Sequence, residues 1–204
     1  MLFFSTAEEA PMVRGKNRDI LIEKGGELLH AKGYDATGVS EITGAAGVPK
    51  GSFYNYFASK EAFALEVLEH YVSGAIDMME SMLNTTDGTH LERLRGLYLQ
   101  LVAVQSGEHL TRGCMIGNLC QELAGRDDAF QPAIRQTMRR MRQVVENELA
   151  LAQAAGEIDP DIDVAETTAF ISDAWQGAQM RAKASRDTAP MESFVTHVFD
   201  RILA

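Results

Sequence analysis

Proline is scarce in this 204-residue chain, with five in all, and cysteine is scarcer, with two. Few prolines leave long stretches free to remain helical, and no run alternates polar and apolar residues between hairpin turns, so a β-sheet protein is excluded. Cys114 and Cys120 do not make a disulfide framework. Six residues apart on one helix, they would stand roughly 9 Å apart along its axis at about 1.5 Å per residue. That is too far to bridge, so both are expected as reduced thiols. There is no CxxC, no HExxH and no histidine cluster, so neither a metal nor another cofactor is expected. Apolar runs are short as well: none approaches the roughly 18 residues of a membrane span. The segment 1–12 has Leu2, Phe3 and Phe4, but its first charges are Glu8 and Glu9, unlike the basic start of a signal peptide. Residues 1–13 are therefore expected as a loose tail, and the protein as cytoplasmic and away from membranes.

What is present is helix. Apolar spacing and punctuation predict nine helices, over residues 16–32, 39–46, 49–56, 60–83, 91–105, 114–123, 127–155, 164–184 and 190 to the end. Ile20, Leu21, Leu28 and Leu29 form the buried stripe of the first, and Gly33 stands just past its end. Ser59 is placed to cap the fourth, and Asp127 and Asp128 to open the seventh. The expectation is an all-α protein with a three-helix head over residues 14–60 and a six-helix body over residues 61–204.

The head has the parts of a helix-turn-helix: two short helices, a glycine turn and small residues at the crossing. In Val39-Ser40-Glu41-Ile42-Thr43-Gly44-Ala45-Ala46-Gly47-Val48-Pro49-Lys50-Gly51-Ser52-Phe53-Tyr54, the residues Ile42, Ala45, Ala46, Val48 and Phe53 can pack inward while Gly47 turns the chain. Lys50, Gly51, Ser52, Tyr54 and Asn55 then face outward, small or polar enough to approach base edges and phosphates. Charge is divided to match. Residues 1–60 carry seven basic and seven acidic side chains, so the whole net charge of −10 lies in the body, which phosphate repels.

Gly33-Tyr34, Thr37, Glu41-Ile42, Ala46-Gly47-Val48, Lys50-Gly51-Ser52-Phe53-Tyr54, Tyr56-Phe57 and Ser59-Lys60-Glu61 together resemble the N-terminal domain of the TetR family of repressors. The resemblance implies that the third helix enters the major groove, with Ser40, Lys50, Gly51 and Ser52 near base edges and Asn55 beside them. It also implies phosphate contacts from Thr37, Tyr54, Tyr56 and the start of the fourth helix at Lys60. Pro49 departs from the serine common there, which removes one capping contact to phosphate. A homodimer on palindromic double-stranded operator DNA is implied, joined by a four-helix interface from the eighth and ninth helices. Ala169, Ala174, Ala178, Phe194 and Val198 are the candidates for that interface, an intramolecular core being the other use for them.

The family also places a small-molecule effector within the body. Met78, Met79, Met82, Met115, Met138, Met141 and Trp175 fall at helical spacings that suit either a core or an adaptable pocket. In Arg112-Gly113-Cys114-Met115-Ile116-Gly117-Asn118-Leu119 the cysteine opens a helix beside Arg112, and both draw a thiol toward its reactive form. This stretch, with Ala182-Lys183-Ala184, is similar to family members that govern detoxification of reactive electrophiles. In that resemblance Cys114 is the sensing thiol and Lys183 its partner after oxidation. A buried, inert cysteine is the other reading. The functional expectation is a repressor released by an effector or by modification of Cys114. The alternatives are a helical interaction module that never touches DNA and a thiol-dependent enzyme. For the enzyme, no histidine lies nearer Cys114 than His109, ahead of the helix.

Overall fold

The computed structural model describes residues 11–125 and 129–204, with backbone alone for residues 11–15 and for Glu108. Residues 1–10 of the expected tail, and the expected opening of the seventh helix at Asp127 and Asp128, lie outside the described residues. The described residues form helices joined by short turns, and no strand is found among them. The chain divides into two units within a helix: one up to His70, the other Tyr71–Ala204.

In the first unit, α1 (Pro11–Lys32) begins five residues ahead of the expected start and packs on α2 (Val39–Ala46), which packs on α3 (Lys50–Tyr56). The end of α1 is closed by the Gly33 N–H donating to the Leu29 carbonyl at 2.9 Å. Gly47 ends α2 at φ 64°, a left-handed conformation that only glycine adopts without strain. Its turn closes through Val48 N–H donating to the Thr43 carbonyl at 2.9 Å. Under α3 lies an aromatic core: the Phe53, Phe57 and Phe63 rings sit 4.9–5.3 Å apart, each at most 2% exposed. α1 reaches this core because Gly25 has no side chain; a methyl there would lie 2.2 Å from Phe63 Cζ.

Helix α4 (Lys60–Thr85) starts as the sequence predicts, the Ser59 hydroxyl accepting from Ala62 N–H at 3.0 Å, and belongs to both units. The second unit contains the remainder of α4 and helices α5 (His90–Val104), α6 (Met115–Leu123), α7 (Phe130–Ala154), α8 (Val164–Ser185) and α9 (Ala189–His197). α7 packs on α5, α6 and α8, while α9 packs on α5 and α8. One turn of 3-10 helix, Gly107–Thr111, fills what was expected as a loop, and α9 ends in a wider π turn, Val198–Ile202. Caps explain the starts. Thr89 and Glu92 form a capping box on α5, and Asp163 accepts from Glu166 N–H at 2.9 Å on α8. The core gathers Leu94, Leu97, Leu149, Ile171 and Met191 around an aromatic cluster of Tyr98, Trp175, Phe194 and Phe199.

Candidate nucleic-acid interface and ligand site

The helix-turn-helix puts Ile42, Thr43, Val48 and Phe53 inside, and leaves Ser40, Gly44, Ala45, Lys50, Gly51, Tyr54 and Asn55 exposed. Ala45 was expected inside, but the inward face of α2 is used by Ile42 and Thr43, the latter bonding its hydroxyl to the Val39 carbonyl at 3.0 Å. Nothing stands within 4 Å of where a side chain at Gly44 or Gly51 would begin, so the surface there is open. Tyr54 is 57% exposed and rests edge-on against Phe53 at 5.3 Å, which supports the ring from behind. Ser52 and Tyr56 are half-buried. Lys60 is also half-buried, its Nζ lying 4.1 Å from the Tyr34 ring centroid, a cation–π contact that the sequence did not reveal.

Thr37 requires a correction. It is 0% exposed, and its hydroxyl donates to the Gly33 carbonyl at 2.7 Å. The side chain that was expected to hold a phosphate instead closes the end of α1. Small size and a hydroxyl suit both jobs, so the residue type alone could not separate them.

In the second unit, Cys114 sits at the N-cap of α6, half-buried, where Sγ accepts from Gln176 Nε2 at 3.5 Å. Two spaces share Cys114 in their walls. One is a cavity of about 290 Å³ bordered by Met78, Met79, Tyr98, Met141, Trp175 and Cys114. The other is a groove of about 640 Å³ that also holds Asn118 and Lys183. Lys183 Nζ donates to the Arg112 carbonyl and to Asn118 Oδ1, each at 3.3 Å, and Cys114 borders the cavity with Trp175 and the groove with Lys183. Two further neighbours were missed from sequence, Gln176 on α8 and Tyr71 on α4. The Tyr71 hydroxyl accepts from Met115 N–H at the start of α6. Burial, and then the nearby Cys114, push its ionisation well above the usual tyrosine range. Both residues are distant in sequence from Cys114, and only the helix packing unites them. Among the described residues, no group of three histidine, cysteine or carboxylate side chains could hold a metal.

Along α8 and α9, residues expected for pairing also serve the core. Ala178, Phe194 and Val198 belong to the intramolecular core, and Phe194 packs on Tyr98 and Trp175 at 5.0 and 5.1 Å. The same three residues border a shallow groove along α8 and α9 as well, so packing within the chain does not exclude a role in pairing. Ala169 and Ala174 remain half-buried, and the groove also carries Phe170, Ala174, Gly177 and Ile202. Phe170, 55% exposed, was not among the expected residues.

No described helix is long and apolar enough to cross a membrane. Residues 21–67 match the family described as bacterial regulatory proteins, tetR family, and residues 90–198 match the tetracyclin repressor-like C-terminal domain. The HTH-type transcriptional repressor DhaR of Mycobacterium sp. (strain GP1) is 32% identical over 94% of this chain and 95% of its own. The transcriptional regulator AcuR of Cereibacter sphaeroides is 35% identical over 89% of this chain and 82% of its own. The crystal structure of Escherichia coli NemR in its reduced form superposes with a TM-score of 0.82 at 26% identity, covering 92% of this chain and 97% of that one. These relatives are regulators, as are both domain families. The chain thus belongs to the TetR family of helix-turn-helix transcriptional repressors.

Proposed function

We propose that the protein acts in the cytoplasm as a homodimer on a palindromic operator, and leaves it when a small molecule fills the cavity or when Cys114 is modified. The observation that carries this reading is the double placement of Cys114, in the wall of the cavity and in the groove with Lys183. A conjugated carbonyl compound entering either space would meet the sulfur: an S–C bond forms at its β-carbon, and the thiol proton ends on its α-carbon. Lys183 stands ready as the oxidised thiol's partner, while Ser40, Lys50, Gly51, Ser52, Tyr54, Asn55, Tyr56 and Lys60 make the DNA surface. The head is neutral overall, so operator affinity comes from a few placed contacts and from the pairing of two heads about one helical turn of DNA apart. Release acts through α4, which lines the cavity with Tyr71, Ala75, Met78 and Met79 and continues into the head.

The test is a gel-shift titration on DNA flanking the gene, with and without an enal. Wild-type protein is expected to form a sequence-specific complex that the enal dissolves, and Cys114→Ser to form the same complex and keep it. No specific complex for wild type would remove the DNA reading; an enal response retained by Cys114→Ser would remove the thiol. No observation favours a thiol enzyme, because the side chain bonded to Sγ is the neutral amide of Gln176, which is no base.

A further inference from the structure

Two buried polar side chains bordering the cavity have hydrogen-bonding capacity that the protein does not use. Tyr98 is 2% exposed and packed by Trp175, Phe194 and Phe199 at 5.1, 5.0 and 6.0 Å. Its hydroxyl makes no hydrogen bond among the described residues, and burial pushes its ionisation far above the usual range, so it is a neutral donor. Gln179 is 6% exposed; its Nε2 donates to Gln105 Oε1 at 2.6 Å, while its own Oε1 is buried and has no partner. Folded proteins seldom leave such groups unmet, and an unmet donor and acceptor around one cavity call for a guest that answers both. Met78, Met79, Leu101 and Met141 supply apolar wall, and the polar Ser172, Gln176 and Gln105 that also border the cavity are already bonded to the Thr168 carbonyl, Cys114 Sγ and Gln179 Nε2. The charges at the cavity are one of each sign, Arg142 and Asp173. Arg142 Nε is also unmet, but that side chain is 38% exposed and already faces Glu146 at 4.0 Å, and Asp173 is exposed. No net charge is therefore offered to an ion, whose desolvation would go uncompensated.

We infer that the cavity takes a small uncharged molecule with an apolar body and one amide or alcohol head, which accepts a hydrogen bond from Tyr98 and donates one to Gln179. This rests on the reading of the cavity as the effector site and names the class of effector. The methionine walls adapt to the body, so the head sets selectivity.

Trp175, the chain's single tryptophan, borders the cavity and reports on it by fluorescence. Wild type and Tyr98→Phe are titrated with cyclohexanecarboxamide, cyclohexanecarboxylate and cyclohexylmethylamine. None of the three alkylates a thiol, so the outcome is independent of Cys114. The amide is expected to bind saturably, and each ion at least about tenfold more weakly. Tyr98→Phe is expected to weaken the amide about tenfold, the effect of one lost hydrogen bond, with a melting temperature equal to or above wild type. Tighter binding of the carboxylate would overturn the inference in favour of Arg142. Equal binding of all three, no binding of any, or unchanged amide affinity in Tyr98→Phe would overturn it as well. So would a lower melting temperature with equal loss for every probe, since the hydroxyl would then be structural. A gel shift on the same samples separates the two layers: Tyr98-dependent amide binding that leaves the DNA complex intact sustains the ligand class and removes the effector reading.

Discussion

At Gly25 a single methyl group has no room. The Phe63 ring that it would meet is locked between Phe53 and Phe57, so the ring cannot swing aside. Alanine is the better helix former by about 1 kcal/mol, but overpacking a rigid core costs about 1–3 kcal/mol. Gly25→Ala is therefore expected to destabilise the protein despite its improved propensity, read as a lower denaturation midpoint, with the operator complex weakened in step. A rise in midpoint would show that the aromatic cluster yields. Thr37 makes the complementary point. Its hydroxyl is consumed inside the fold, so a substitution there would alter DNA binding only by loosening the end of α1. In both cases residue type was readable in the chain, while the use made of it depended on a partner brought by packing.

Among the elements, α5 shows how a distant residue fastens a helix. The Glu157 carboxylate accepts from Leu91 N–H at 2.7 Å and His90 N–H at 3.2 Å, supplying an anion at the helix's positive end. Burial, the largest single influence, opposes the charge, but the Leu91 and His90 N–H donors, with the Thr89 side chain and His90, together outweigh it and hold the carboxyl below its ordinary 4.5. A folded-state value below the unfolded one gives stability that is present above pH 4.5 and lost as pH falls through the depressed value. Glu157→Gln is expected to flatten the acid side of the stability curve, and to cost a few tenths to about 1 kcal/mol at neutral pH. Urea midpoints between about pH 3 and 7 measure both, and identical slopes for the two proteins would exclude the linkage. Nothing in the sequence joins Glu157 to α5, because the bond spans 66 residues. By contrast the helices themselves were legible: Ser59, Gly33 and Gly47 punctuate them as local rules require, and α2 matches its expected bounds. The start of α1 and the turn Gly107–Thr111 were missed, since no amphipathic period marks them, and the expected ninth helix widens into a π turn at Val198–Ile202. Likewise the candidate site was half legible. Cys114, Trp175 and Lys183 stand out by type, but the roles of Gln176, Tyr71, Tyr98 and Gln179 in bordering the cavity arise from helices that meet only in the fold.

At the scale of the whole molecule, the exposed face of α8 and α9 is the surface we propose for pairing. Phe170 lies beside the small residues Ala174 and Gly177 in a groove along these helices, where close approach of a second copy would bury the ring. Phe170→Glu is expected to yield a folded monomer by sedimentation, with operator affinity reduced at least about a hundredfold because two half-sites are no longer read together. A dimer of unchanged affinity would place the interface elsewhere. The sulfur of Cys114 has a consequence of its own for such a two-headed switch. Cys114 borders both the cavity and the groove, so a reagent has two approaches to it. A guest in the cavity would cover one approach and leave the other, beside Lys183, open. On the proposed reading the two stimuli are therefore not exclusive: a molecule already holding a ligand remains open to alkylation from the groove.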